Sequence, residues 1–143
     1  MTWLDIIARQ SFLIGNIMFS HIMLGANDLE VSRDFYDAAL GALGVKAGSF
    51  SHNKYFYRGP GGVFAITKPI DGKEATHANG GTIGFSAKSI ADVDAFHAIG
   101  VAHGGTSCEG DPGYRDGVAG TIYIAWLRDP AGNKICAMHR PAK

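Results

Sequence analysis

Hydrophobic and polar positions change period several times along the chain, and each change marks an element. From Met18 to Ala26 the pattern alternates, with Ile22 and Leu24 on one side and His21 and Met23 on the other. That is the period of a strand. Leu29, Tyr36, Leu40 and Leu43 then recur at helical spacing, and Gly44 stops the run. Asn27 lies three residues before Glu30, a capping-box spacing, so Asn27 is the expected helix cap. Lys54 to Arg58 is an aromatic, strand-like run. Gly59-Pro60-Gly61-Gly62 is a turn, and Val63 to Lys68 the next strand. Pro69 to Gly81 is a polar linker.

After the linker the pattern starts again. Thr82 to Ala87 is strand-like. Ser89 caps a helix carrying Ile90, Val93, Phe96 and Ile99, with Gly100 as its stop. Val101 to Ser107 reads as a strand. Glu109 to Gly120 reads as a polar loop long enough to be functional. Ile122 to Arg128 and Lys134 to His139 are strands, joined by an Asp129-Pro130-Ala131-Gly132-Asn133 turn.

The two halves align. His21 to Glu30 matches Thr82 to Ala91 at an offset of 61 residues (82 − 21), and Phe35 matches Phe96. Gly62 to Ile66 matches Lys134 to Met138 at an offset of 72 (136 − 64). The chain is a duplicated β-α-β-β-β module, the first over about 18–68 and the second over about 80–140. The fold class is α+β. One helix covers one face of each four-stranded sheet. The opposite faces are bare, and pairing the modules buries them around a central cleft. Alternation predicts Ile22, Leu24, Val63, Ala65, Ile83, Phe85, Ile135 and Ala137 on the helix side. His21, Met23, Phe64, Ile66, Thr82, Gly84, Cys136 and Met138 are expected to face the cleft.

Composition narrows the classes. The 143 residues suit one compact unit, and 46% hydrophobic residues suffice for a core. Lys and Arg balance Asp and Glu at 13 each, with no basic block, which argues against a nucleic-acid partner. Cys108 and Cys136 form neither a disulfide framework nor a zinc pattern, so a reducing cytoplasm is expected. Residues 1–17 form an extension ahead of the domain at 18–143. Their apolar residues allow an appended amphipathic helix packing on the fold or on a partner subunit; the alternative is a disordered extension. The segment is too short to span a bilayer and lacks a signal-peptide pattern.

The β-α-β-β-β repeat resembles the vicinal oxygen chelate superfamily. That group includes glyoxalase I, extradiol dioxygenases, fosfomycin-resistance enzymes and metal-free bleomycin-binding proteins. The resemblance rests on the His21-to-Leu29 strand-to-helix start, on Phe35-Tyr36 and Leu43-Gly44, and on the run from Trp126 to Ile135 with its Asp-Pro-x-Gly-Asn turn. It covers residues 18–140. It implies metal ligands, usually His and Glu, on the first and last strand of each half. Carried onto this chain, the four positions are His21, Phe64, Thr82 and Cys136. His21 is a typical ligand, Cys136 a possible soft one, Thr82 a poor neutral one, and Phe64 cannot ligate. A metal acting on two substrate oxygens needs about three protein ligands.

The residues therefore point to a protein that binds a small apolar or aromatic molecule without a metal. The expected ligand-binding residues are His21, Met23, Phe64, Thr82, Tyr114, Arg115, Cys136 and Met138. Tyr114 and Arg115 lie in the polar loop, where an Arg beside an aromatic could hold a carboxylate or phosphate. The alternative is a metal-dependent, glyoxalase-like lyase or a ring-cleaving dioxygenase using Zn, Ni, Mn or Fe through His21 and Cys136. The expected partners are the small molecule and a second copy in a homodimer, with no nucleic acid and no membrane.

Overall fold

The structure, a computed structural model, describes residues 2, 3 and 18–142. The helix expected over residues 1–17 falls almost wholly outside them. The described chain runs β1 (His21–Gly25), α1 (Leu29–Gly41), β2 (Ser49–Ser51), β3 (Lys54–Gly59), β4 (Gly62–Thr67), β5 (Ile83–Ser86), α2 (Ile90–Ala102), β6 (Thr106–Gly117), β7 (Gly120–Arg128) and β8 (Lys134–His139). The strands form two sheets, ordered β1-β4-β3-β2 and β5-β8-β7-β6. In each, the first strand runs parallel to the last, and the other pairs are antiparallel. The α+β repeat of two β-α-β-β-β modules is what the sequence predicts.

Several boundaries move, each for a local reason. Asp28, not Asn27, caps α1, accepting from the Val31 amide at 3.1 Å. Asn27 instead clamps the linker, accepting from the Ala75 amide at 2.7 Å and donating to the Ala75 carbonyl at 3.2 Å. Ser89 caps α2 as expected. Gly100 does not stop α2, which continues to Ala102. Its role is closeness: a Cβ there would lie 2.5 Å from Leu127 Cδ1 and 3.3 Å from the Phe35 ring. The expected loop at 109–120 is mostly strand. β6 pairs with β7 to Gly117, interrupted by a bulge between Cys108 and Gly113. Paired backbone amides hold polar residues in a strand that their side chains alone would not form.

Both helices and the helix-facing sides of both sheets share one core. It contains Phe35, Tyr36 and Leu40 of α1, Val93 and Phe96 of α2, Phe64 and Ile66 of β4, and Leu127, Ile135 and Ala137 of the second sheet. Phe64 meets Phe85 across the modules, edge to face, with ring centroids 5.2 Å apart. A buried polar cluster ties the modules further. Tyr36 donates to Asp129 Oδ2 at 2.6 Å, while the Ala131 and Asn133 amides donate to Asp129 Oδ1, each at 2.9 Å. Asn133 Nδ2 donates to Asp129 and to the Gly25 carbonyl at the end of β1. Every acceptor of this buried carboxylate is occupied, as burial requires.

Candidate functional site

Strand pairing fixes which side chains share the sheet faces away from the helices. In the first sheet, His21 pairs with Val63 and Met23 with Ala65. Phe56 pairs with Ala65 and Arg58 with Val63. Partners across a ladder point to the same side, so these residues share the open face. In the second sheet, Gly84, Cys136, Trp126 and Cys108 form one cross-strand row, flanked by Ser86, Met138 and Ile124.

This register corrects one expectation. Phe64 and Ile66 do not face the cleft. Phe64 packs on Tyr36 of α1 at 4.8 Å between ring centroids and is 7% exposed. Val63 and Ala65 take the open face instead. The run Val63-Phe64-Ala65-Ile66 is apolar throughout, so alternation gave no direction. Pairing with Ile22 on one side and Tyr57 on the other sets it. Met23 corresponds to Gly84 by the 61-residue offset, so Ala65 corresponds to Cys136. The offset between last strands is 71 (136 − 65), not 72.

The other expected positions divide. His21 and Met23 lie exposed on the open face, with His21 Nδ1 2.9 Å from Ser20 Oγ. Thr82 immediately precedes β5 and is exposed. Cys136 and Met138 lie on the open face of β8. Tyr114 and Arg115 are separated by the pleat. The Tyr114 ring meets Tyr123 at 5.1 Å on the helix side, where Tyr123 donates to Asp94 of α2 at 2.7 Å. Arg115 points to the open face, 5.8 Å above the Trp126 ring. It donates to the carbonyls of Tyr114 at 3.0 Å and Asp111 at 3.1 Å, so the bulge holds the guanidinium in place.

Among the residues of this face that went unread in the sequence are Phe56, Arg58, Trp126 and Lys134. Phe56 and Trp126 are symmetry partners, since they pair with Ala65 and Cys136. Each carries an arginine above its ring, Arg58 over Phe56 at 5.5 Å and Arg115 over Trp126. Lys134 forms an ion pair with Glu109 of the bulge. Carrying the repeat into the middle strands would have exposed the aromatic pair. The ion pair depends on the bulge, which had no sequence signal.

The metal positions of the resemblance become an imidazole (His21), a methyl (Ala65), a hydroxyl (Thr82) and a thiol (Cys136). Burial pushes the Cys136 thiol up to about 11, against a smaller opposing effect of Lys134. At neutral pH it is therefore a protonated, weak donor. This donor set does not fit a three-ligand metal centre. Among the described residues, no three His, Cys, Asp or Glu side chains come together as a metal site. No described helix is long and apolar enough to cross a membrane.

Comparison with known proteins agrees with this architecture. A family described as the Glyoxalase/Bleomycin resistance protein/Dioxygenase superfamily matches residues 18–137. A crystal structure of a glyoxalase/bleomycin resistance protein from Albidiferax ferrireducens is 61% identical, with a TM-score of 0.84 over 86% of this chain and 99% of that one. A putative glyoxalase from Bacillus halodurans shares the fold at 20% identity and a TM-score of 0.70, covering 90% and 99%. A glyoxalase-related enzyme from Fulvimarina pelagi does so at 22% and 0.67, covering 87% and 88%. No curated protein matches the chain.

Proposed function

The chain belongs to the glyoxalase/bleomycin resistance protein/dioxygenase superfamily, and from that membership we propose that it binds a small aromatic or apolar molecule without a metal ion. The carrying observation is the donor set. Of the four ligand positions implied by the resemblance, the one first assigned to Phe64 falls by strand register on Ala65, which offers no donor, and Cys136 holds its proton. Beside its basic residues, the open face carries an apolar and adaptable set of side chains: Met23, Phe56, Ala65, Ile124, Trp126 and Met138. Thioethers and flat rings suit an organic ligand better than a hydrated ion.

A second copy completes the cleft. Among the described residues, β1 and β5 are edge strands, and no ladder joins a strand of one sheet to a strand of the other. The modules meet through α1, α2 and the Asp129 cluster, and among the described residues neither strand edge is paired. An edge strand with unpaired amides and carbonyls is a template for another chain. Docking β1 of one copy beside β5 of another brings the two open faces together, and an isologous dimer would form two such clefts. The two unpaired thiols fit a cytoplasmic setting.

The test is elemental analysis of the full chain, purified without chelators and then incubated with Ni, Zn, Mn or Fe(II). No metal above background is expected. About one metal per chain, lost in His21→Ala, would overturn the reading and restore the metal-dependent lyase or dioxygenase. Sedimentation velocity tests the second copy, with a dimer expected at micromolar concentration and a concentration-independent monomer as the refuting result.

A further inference from the structure

Charge is distributed unevenly between the two sides of the sheets. The chain is neutral overall. Yet the open faces carry Lys54, Arg58, Arg115, Arg128 and Lys134 at strand positions, and no Asp or Glu stands at a paired position of those faces. The acids gather on the helix side. Glu30 accepts from Tyr55, Asp37 from Tyr57, Asp94 from Tyr123 and Asp129 from Tyr36.

Two features make this more than a surface tally. The aromatic rings Phe56 and Trp126 occupy symmetry-related positions, and each has a guanidinium over it, Arg58 from the same strand as Phe56 and Arg115 from the strand beside Trp126. Lys134, whose side chain is only 18% exposed, is paired with Glu109. Glu109 comes from the bulge, where its backbone adopts φ 57°, and its side chain is 48% exposed. A cation set into a sheet face thus meets a carboxylate that reaches over from a distorted segment. A ligand carboxylate can take the place of such an internal counter-ion at little desolvation cost.

We infer that the cleft is specific for a small organic anion: a flat aromatic body lies on the Phe56 or Trp126 surface, and its carboxylate or sulfonate pairs with Lys134 in place of Glu109. The inference rests on the cleft proposed above and adds the charge of its occupant. Glu109 acts as a tethered competitor. Arg115, fixed by bulge carbonyls, adds positive potential without needing to move.

A matched pair of fluorophores tests this in the full chain. N-phenyl-1-naphthylamine is neutral, and 8-anilinonaphthalene-1-sulfonate is the same skeleton with a sulfonate. The readout is the ratio of their affinities, because partial unfolding raises binding of both. The wild-type protein is expected to prefer the sulfonate by about tenfold. Glu109→Gln should raise the ratio severalfold. Lys134→Met should bring it close to one, and added salt should lower it in the wild type. A wild-type ratio near one, or a ratio unmoved in both variants, would overturn the anion assignment while leaving the cleft. If neither fluorophore binds the wild type or Glu109→Gln, the cleft reading falls as well.

Discussion

In the first module the hairpin after the helix is short, Ser49–Ser51 against Lys54–Gly59. In the second it runs Thr106–Gly117 against Gly120–Arg128 and carries the bulge with Glu109 and Asp111. The helices differ in a matching way. Tyr36 of α1 is fully buried and reaches Asp129 in the other module. Its counterpart 61 residues on, His97 of α2, stays near the surface and bonds Ser107 of its own module at 2.8 Å. The turn that holds Asp129 in the second module is Gly59-Pro60-Gly61-Gly62 in the first, with no acid at all. The repeat is thus symmetric in backbone and one-sided in chemistry. Among the described residues, one polar cluster around Asp129 ties the modules together, and one bulge brings the Glu109 carboxylate to Lys134 on the open face.

The largest effect should come from breaking that lock. Asp129→Ala strands the Tyr36 hydroxyl and two backbone amides inside the core. The expected loss is about 3–5 kcal/mol of unfolding free energy, measured by urea denaturation. His97→Ala, the symmetric cut on the outside, should cost less than about 0.5 kcal/mol. Equal effects would mean that the two helices carry equal polar loads.

Gly100 offers the next cut. Its missing side chain lets α2 lie against Leu127 and Phe35, and an added Cβ would sit 2.5 Å from Leu127 Cδ1. Gly100→Ala should destabilise by about 1–3 kcal/mol through overpacking, despite the better helix propensity of alanine. A gain in melting temperature would show that α2 can move away at no cost.

How far the sequence carried this reading depended on whether position alone fixed a side chain's direction. β1, β5 and β8 alternate apolar with polar or small residues, and His21, Met23, Cys136 and Met138 fell on the predicted face. β4 is apolar on both faces, so Phe64 and Ile66 were placed on the wrong one. Asp129 and Asn133 read as turn residues because local sequence explains a turn fully. Their long-range partners, Tyr36 and Gly25, lie about a hundred residues away. The bulge at 109–112 is set by pairing with β7 rather than by any hydrophobic period, so the strand that puts Tyr114 and Arg115 on opposite faces was not legible. What periodicity records is burial. Long-range hydrogen bonding and register leave weaker traces in it.

Cys136 sharpens the comparison on the open face, because Ala65 holds the corresponding place in the first module. Its folded thiol is pushed up to about 11 by burial, above the ordinary value near 8.5–9. A raised folded value means stability that is complete below the ordinary value and is lost as pH climbs toward 11. By pH 10 this should remove roughly 1 kcal/mol. Buried tyrosines contribute in the same direction, with Tyr36 and Tyr57 both raised by desolvation. The difference between wild type and Cys136→Ala isolates the thiol. Urea midpoints at pH 7 and pH 10 should fall less in the variant. Parallel falls would place the thiolate in contact with solvent.

The smallest expected effect returns to the helices. Gly41 closes α1 as Gly100 nears the close of α2, but a Cβ on Gly41 would meet nothing within 4 Å. The residue is exposed and its backbone is not in the left-handed region. Glycine there has no steric task, and its flexibility costs the folded state entropy. Gly41→Ala should therefore stabilise the protein by about 0.5 kcal/mol, the opposite sign from Gly100→Ala. The pair of substitutions tests the one-sidedness of the repeat directly. The same chemical change is made near the ends of two helices of equal length, and only the packing of α2 against Leu127 and Phe35 separates them. If both variants lose stability, the end of α1 is more constrained than its open surroundings suggest, and the contrast between the helices is one of sequence and not of packing.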